Sequence, residues 1–276
     1  MFAVTGLDFQ VTSGNKGPMN STSIAKLLEE RGAWLKGAAH DHEPALARLA
    51  LTRRIAENYP LFEQVRDRVM QATESFMRHA EIIPETLSPQ GHALLGEMLH
   101  HGLVIREEHG HEICEVHGRR YLSGGWLEEL AWLAAKEAGA HEALYGQCIG
   151  WSAKGYDGEN EIDLIVRRGS VLGFVSCKAL GSELDAHDRK HRHRLMDAVH
   201  EADNLADHFG HPGERVAVLV TTDLHDEMRG VPRYTALMGK AAVLDVRIIP
   251  LEELGWNLLV RAITELWEDR REAISA

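Results

Sequence analysis

The spacing of apolar residues changes rhythm along the chain. From Ser21 to about Ala80 they recur every three or four positions. "STSIAKLLEERGAWLKG" places Ile24, Leu27, Leu28 and Leu35 on one face behind a Ser21 or Thr22 cap, and "EPALARLALTRRIAEN" and "PLFEQVRDRVMQATESFMRHA" keep the same period. Three packed helices are predicted over residues 21–80. Ahead of them, "MFAVTGLDFQVTSGNKGPMN" reads as a short strand and a loop rich in Gly, Ser, Asn and Pro. "LSPQGHALLGEMLHHGLV" predicts a helix with Pro89 near its start and Gly102 at its end, and "LVIREEHGHEICEVHGRRY" a hairpin turning near His109 and Gly110. From Gly124 the order is helix ("GGWLEELAWLAAKEAG"), three strands ("GQCIGWSA", "EIDLIVRR", "VLGFVSCKA"), then a polar and basic helix closed by Gly210. A buried-type strand "RVAVLVTT", a helix near "PRYTALMGKAAVL", a strand "DVRIIP" and a last helix through "LGWNLLVRAITELWEDRREA" complete it. Runs of Val, Ile and Leu flanked by helices predict an α/β protein with a mixed sheet covered on both faces.

Three regions are expected: a helical N-terminal region over 1–83, a linker over 84–122, and an α/β domain over 123–276. The helix and hairpin of the linker resemble the recognition helix and wing of a winged helix. That helix carries Glu97 and no Arg or Lys, so a connecting subdomain without DNA contact is favoured over a reader of duplex sequence.

Composition adds bounds. The 276 residues are 44% hydrophobic and 26% charged, ordinary for a soluble globular protein. No apolar run reaches the roughly 18 residues of a membrane span, and the N-terminus lacks a signal peptide's basic start and apolar core, so no membrane and a cytoplasmic location are expected. A formal net charge of −12 argues against indiscriminate nucleic-acid binding but permits a local basic groove. Cys114, Cys148 and Cys177 are far apart and form no CxxC pair, which indicates neither a disulfide framework nor a thiolate zinc site. The histidines of "HDH" (40–42) and "HGH" (109–111) lack i, i+4 spacing on a secure helix and read as surface residues.

The candidate chemistry lies in "NEIDLIVRRGSVLGFVSCKA", where Asp163 stands one hairpin away from Lys178. Residues i and i+2 of a strand face one side, so Ser176 points with Lys178, and Glu161 with Asp163. Helix, three strands, helix, strand is the order of the PD-(D/E)XK nuclease core, in which an acid on one strand meets an acid-x-Lys on the next. Phosphodiester hydrolysis there needs a hard divalent cation, Mn²⁺ or Mg²⁺, held by carboxylates, to activate water and offset charge growing on phosphate oxygens. Asp163 and Glu128, the latter on the first helix of the domain, are the candidate ligands. Glu129 is the fallback for Glu128, and Glu161 a further ligand. Lys178 is the candidate for orienting the attacking water. "DRKHRHR" (188–194) sets Arg189, Lys190, Arg192 and Arg194 near a helix N-terminus, as a clamp on a nucleic-acid backbone or as a solvated face.

"GGWLEE", "NEIDLIVRRGSVLGFVSCKA", "RLMDAVHEADNLADHFG" and "RVAVLVTT" together resemble the CRISPR-associated ancillary nucleases, which join a CARF sensor domain to a PD-(D/E)XK effector domain. The resemblance spans about residues 84 to 270. It implies a homodimer, activation by cyclic tetra-adenylate, metal-dependent cleavage of DNA, RNA or both in type III CRISPR defence, and Glu128, Asp163 and Lys178 as catalytic. Two departures follow. The acid-x-Lys motif reads Ser176-Cys177-Lys178, where the Ser hydroxyl is a weaker metal ligand than a carboxylate. The stretch before residue 84 is also too short for a CARF domain, so most of the sensor is expected to be absent. "VTSGNKGPM" (11–19) looks like a late loop of such a sensor, with Gly14, Asn15 and Lys16 able to meet a phosphate. The competing expectation is a catalytically weakened nucleic-acid-binding or regulatory module of the same fold.

Overall fold

The computed structural model describes residues 22–37, 42–81, 86–185, 187–211 and 214–267. The strand expected in the first twenty residues and the loop of Gly14, Asn15 and Lys16 lie outside these. In chain order the elements begin with α1 (Ile24–Glu29), β1 (Ala33–Lys36), α2 (Glu43–Ala47), α3 (Leu49–Glu57), α4 (Tyr59–Met77) and α5 (Pro89–His100). A two-residue hairpin, β2 (Ile105–Arg106) and β3 (Glu112–Ile113), leads to α6 (Val116–Arg120), a π-turn over Tyr121–Gly125 and α7 (Trp126–Glu137). Then come β4 (Glu142–Ala153), β5 (Tyr156–Arg168), β6 (Val171–Lys178), α8 (Arg189–Phe209) and β7 (Arg215–Val220). The last described elements are β8 (His225–Asp226), β9 (Val231–Pro232), α9 (Thr235–Val243), β10 (Val246–Ile249) and α10 (Trp256–Thr264).

Six strands form one mixed sheet in the order β1-β4-β5-β6-β7-β10. The β1–β4, β4–β5 and β5–β6 pairs are antiparallel, and β6–β7 and β7–β10 are parallel. The parallel strands are buried on both faces, which is why "RVAVLVTT" reads as an unbroken apolar run. Alternate residues divide between two cores. Leu164, Val166, Val175, Ala217 and Leu219 pack beneath α7, α10 and the N-terminal helices. Ile165, Phe174, Val216 and Val218 pack beneath α1, α8 and α9.

The stretch read as one helix from Ser21 divides. α1 ends at Glu29, Gly32 takes φ +76°, and Ala33–Lys36 leaves as the edge strand β1, with Trp34 opposite Gly150 of β4. A Cβ on Gly150 would lie 2.6 Å from the Trp34 ring, so the indole covers that edge only because position 150 is glycine. A left-handed glycine is a helix stop, and Trp and Leu suit a strand as well as a helix, so periodicity alone misassigns the four residues.

The expected helix and hairpin of the linker are present as α5, β2 and β3, with α5 starting at Pro89 and Ser88 capping Gly91 N. Glu97 of α5 is paired with Arg54 of α3. Behind the hairpin, α6 passes so close to the α5 exit that a Cβ on Gly118 would lie 1.8 Å from the Leu103 carbonyl oxygen. Gly118→Ala is therefore expected to cost about 1–3 kcal/mol as overpacking against backbone. Urea unfolding measures this, and an unchanged midpoint would show that the two segments part freely.

Candidate functional site

The site begins where the central strands part. β5 and β6 pair from Arg168 opposite Val171 to Leu164 opposite Val175, while β6 continues along β7 as far as Lys178 opposite Val220. On its other side β5 pairs with β4 on both flanks of Asp163, and Gly146, the β4 residue facing that position, takes φ +56°. The packing registers this distortion. Leu164 belongs to the α7-side core, yet Ile162 and Ile165, three residues apart, both belong to the α8-side core, so the alternation slips by one at Asp163.

At the fork the Asp163 carboxylate stands in for a ladder partner. Its Oδ2 accepts from the Cys177 backbone N–H at 2.6 Å and from the Ser176 hydroxyl at 3.3 Å. Burial nevertheless raises the Asp163 pKa, and these hydrogen bonds with nearby Lys178 offset only part of that rise. Glu128 reaches the same place from the first turn of α7, which the kinked π-turn aims at the fork. Burial, followed by repulsion from Asp163, pushes Glu128 up to about 7. Glu161 adds repulsion to both acids and lies 3.6 Å from Arg120.

The α8 side of the fork carries the lysine. Lys178 Nζ lies 2.7 Å from Glu201 of α8. Burial works against its charge, but the bond to Glu201 prevails and the Lys178 pKa is raised. Lys178 is therefore a cation that holds its proton near neutral pH, suited to binding a phosphate oxygen or orienting water. Between Ser176 and Lys178, the partly buried Cys177 packs its thiol near the Leu127 carbonyl, and desolvation pushes its pKa well up. That is the behaviour of a small core residue.

Glu128, Cys177, Lys178, Glu201 and Arg120 line a cleft of about 430 Å³ that also includes Ser123, Gly124, Arg194 and Asp197. Of the expected basic clamp, Arg194 faces this cleft. Arg192 lies over the Tyr234 ring at 4.4 Å, and Arg189 and Lys190 are exposed in the first turn of α8. Glu129, the fallback for Glu128, is turned away and buried, paired with Arg48 at 2.7 Å. Glu201 and Arg120 are the residues that sequence reasoning missed. Arg194, Asp197 and Glu201 follow i, i+3, i+7, one face of the helix after the lysine strand, a spacing that would have exposed Glu201. Arg120 has no such signal, because its place depends on the turn after α6.

The fold is PD-(D/E)XK-like. No family model and no curated protein matches the chain. Among solved structures it is similar to protein VC1899 from Vibrio cholerae, with a TM-score of 0.63 and 16% identity over 94% of this chain and 65% of that one. It is also similar to Can2 from Sulfobacillus thermosulfidooxidans, solved in complex with cyclic tetra-adenylate, with a TM-score of 0.58 and 12% identity over 88% of this chain and 61% of that one. The chain thus spans less than two thirds of the length of either. Among the described residues, no helix is long and apolar enough to cross a membrane.

The donor set also bears on the expected metal. Among the described residues, no three His, Cys, Asp or Glu side chains come together as a group able to hold an ion. Ser176 occupies the position where a carboxylate would complete such a group, and its hydroxyl is directed at Asp163. Asp163 and Glu128 are the two carboxylates that the fork offers to an ion.

Proposed function

We propose that this chain is a nucleic-acid-binding module of PD-(D/E)XK-like fold in which the hydrolytic chemistry is weakened. The observation that carries the reading is the serine in the acid-x-lysine strand, its hydroxyl directed at Asp163, two residues before a Lys178 that Glu201 keeps protonated. What remains suits holding a phosphate backbone. Lys178, Arg120 and Arg194 supply cations to one cleft, and the exposed Arg189 and Lys190 extend the positive surface along α8.

The second reading is a metal-dependent endonuclease cleaving DNA, RNA or both. One observation favours it: Asp163 and Glu161 stand close enough to Glu128 to repel it, and the Glu128 carboxyl, which lines the cleft, has been driven up to about 7 by burial and this repulsion. Mg²⁺ or Mn²⁺ can bind through one or two carboxylates completed by substrate phosphates, and such an ion would activate water and offset phosphate charge. In this reading Asp163 and Glu128 hold the ion, with Glu161 in support, and Lys178 orients the water. A role in type III CRISPR defence, a homodimer and control by cyclic tetra-adenylate belong to this reading. Can2, solved with that nucleotide, supports the last of these through similarity of fold.

The test is binding and cleavage of single-stranded DNA, single-stranded RNA and supercoiled plasmid, with EDTA, Mn²⁺, or Mn²⁺ and cyclic tetra-adenylate. Retention without cleavage in every lane, weakened about tenfold by Lys178→Ala, is the outcome expected of the binding module. Cleavage in Mn²⁺ that disappears in both Asp163→Asn and Lys178→Ala would replace it with the nuclease. Absence of binding under all conditions would remove both readings.

A further inference from the structure

Behind the cleft, across Glu128, lies a second pocket of about 220 Å³. The two cavities share Arg120, Gly125 and Glu128, so they are neighbours along one surface. The second differs in character. Its lining is mostly apolar: the partly exposed Tyr145, the exposed Pro44 and His117, and the edge of the buried Tyr121.

Its floor is fixed before anything binds. The Arg48 guanidinium lies 5.2 Å from the centre of the Tyr121 ring and meets Glu129 at 2.7 and 3.3 Å. Thr52 Oγ1 donates to Glu129 at 3.1 Å and lies 2.9 Å from the Tyr121 hydroxyl. Arg48 and Glu129 are 8% and 2% exposed, so an ion pair held almost out of water lies at the base of an open pocket. Counting Arg120 and Glu128 at the shared wall, cations and carboxylates balance two against two. A phosphate gains little in such surroundings, whereas a neutral planar group gains apolar contact on its faces and hydrogen-bond partners at its edge.

We propose that this pocket takes one nucleobase of a single strand whose backbone lies in the adjoining cleft. The inference rests on the nucleic-acid reading above and deepens it. Cleft and pocket then divide the ligand by chemistry, phosphate to Lys178 and Arg194, base to Tyr145 and Pro44. An unpaired base is required, because a base stacked in a duplex cannot turn its faces to protein side chains.

The experiment compares a fluorescent single-stranded oligonucleotide with one of equal length built wholly of abasic residues, by anisotropy in Ca²⁺ buffer. Wild type and Tyr145→Leu are run side by side, each checked by thermal melting. Stacking of one base on an aromatic side chain predicts about tenfold tighter binding of the normal strand by wild type. Tyr145→Leu should lose most of that preference and keep its affinity for the abasic strand. Because Tyr145→Leu could fail to fold, wild type is also photocrosslinked to a strand carrying 5-iodouracil, and a crosslink at Tyr145, Tyr121 or His117 is expected. Equal binding of both strands by wild type overturns the pocket and leaves the nucleic-acid reading standing. So does a preference that survives in folded Tyr145→Leu, or a crosslink that maps elsewhere. If neither strand binds, the nucleic-acid reading has failed and the pocket proposal falls with it.

Discussion

Arg48→Met is expected to destabilise the protein by about 3–5 kcal/mol, because it leaves a buried carboxylate without its cation. Glu129 is 2% exposed, and its oxygens accept from Arg48 and from Thr52. Burial opposes the Arg48 charge, yet its pKa is raised, so the contact with Glu129 outweighs the desolvation. Methionine fills a similar volume and removes only the charge and the donors. The companion change distinguishes this account from loss of packing. Arg48→Met with Glu129→Leu removes both charges and is expected to recover most of the loss, since an apolar pair in place of a buried ion pair is often neutral. Urea unfolding of the two single variants and the double variant completes the cycle. If the double variant is as unstable as the sum of the singles, the two residues are not coupled. The pair also joins the start of α3 to the first turn of α7, so its loss should loosen the N-terminal helices from the helix that carries Glu128.

The same pair shows why parts of the molecule were legible in the sequence and others were not. The order of elements after Gly124 follows from local patterns. "RVAVLVTT" is apolar throughout because it is buried on both faces, and the basic helix is closed by a glycine. The Asp163 and Lys178 strands could be set side by side because a tight turn at Arg168, Gly169 and Ser170 leaves only one pairing. What depends on contacts far apart in sequence was not visible. β1 joins the sheet by pairing with residues more than a hundred positions away, and its four residues carry no pattern that excludes a helix. Glu128 and Glu129 are adjacent acids in one helical turn, and only the location of Arg48 decides which is buried in an ion pair and which faces the fork. Glu201 is masked in the sequence by the basic residues at the start of the same helix. With Asp197 it lies on the face that meets Lys178. Strand alternation also placed Glu161 and Asp163 on one face, and both do act on Glu128, but the regular count breaks at Asp163. A period of two holds only while the ladder is regular, and the site lies where it is distorted.

Glu128→Gln is expected to stabilise the protein at pH 8 and change little at pH 5. Folding raises the Glu128 pKa from 4.5 to about 7, through burial first and repulsion from Asp163 second. An acid raised in this way favours the folded state while protonated. That contribution is full below about pH 4.5 and is lost as pH rises through 7. The loss is at most about 3 kcal/mol, from the size of the shift, and solvent around the half-buried carboxylate reduces it. Gln keeps the shape and cannot ionise, so the variant escapes the penalty. Its thermal midpoint should exceed that of wild type by about 5 °C at pH 8, and the two curves should converge toward pH 5. Parallel curves across that range would mean that Glu128 ionises without strain. Adding Mn²⁺ at pH 8 turns the same measurement on the choice between the two functions. A cation held by Glu128 and Asp163 would relieve the repulsion and raise the wild-type midpoint, while Glu128→Gln would respond less. A binding module that takes no metal leaves both midpoints where they were, and then the excess of carboxylates at the fork is relieved by protonation of Glu128, with nucleic acid binding more tightly as pH falls below 7.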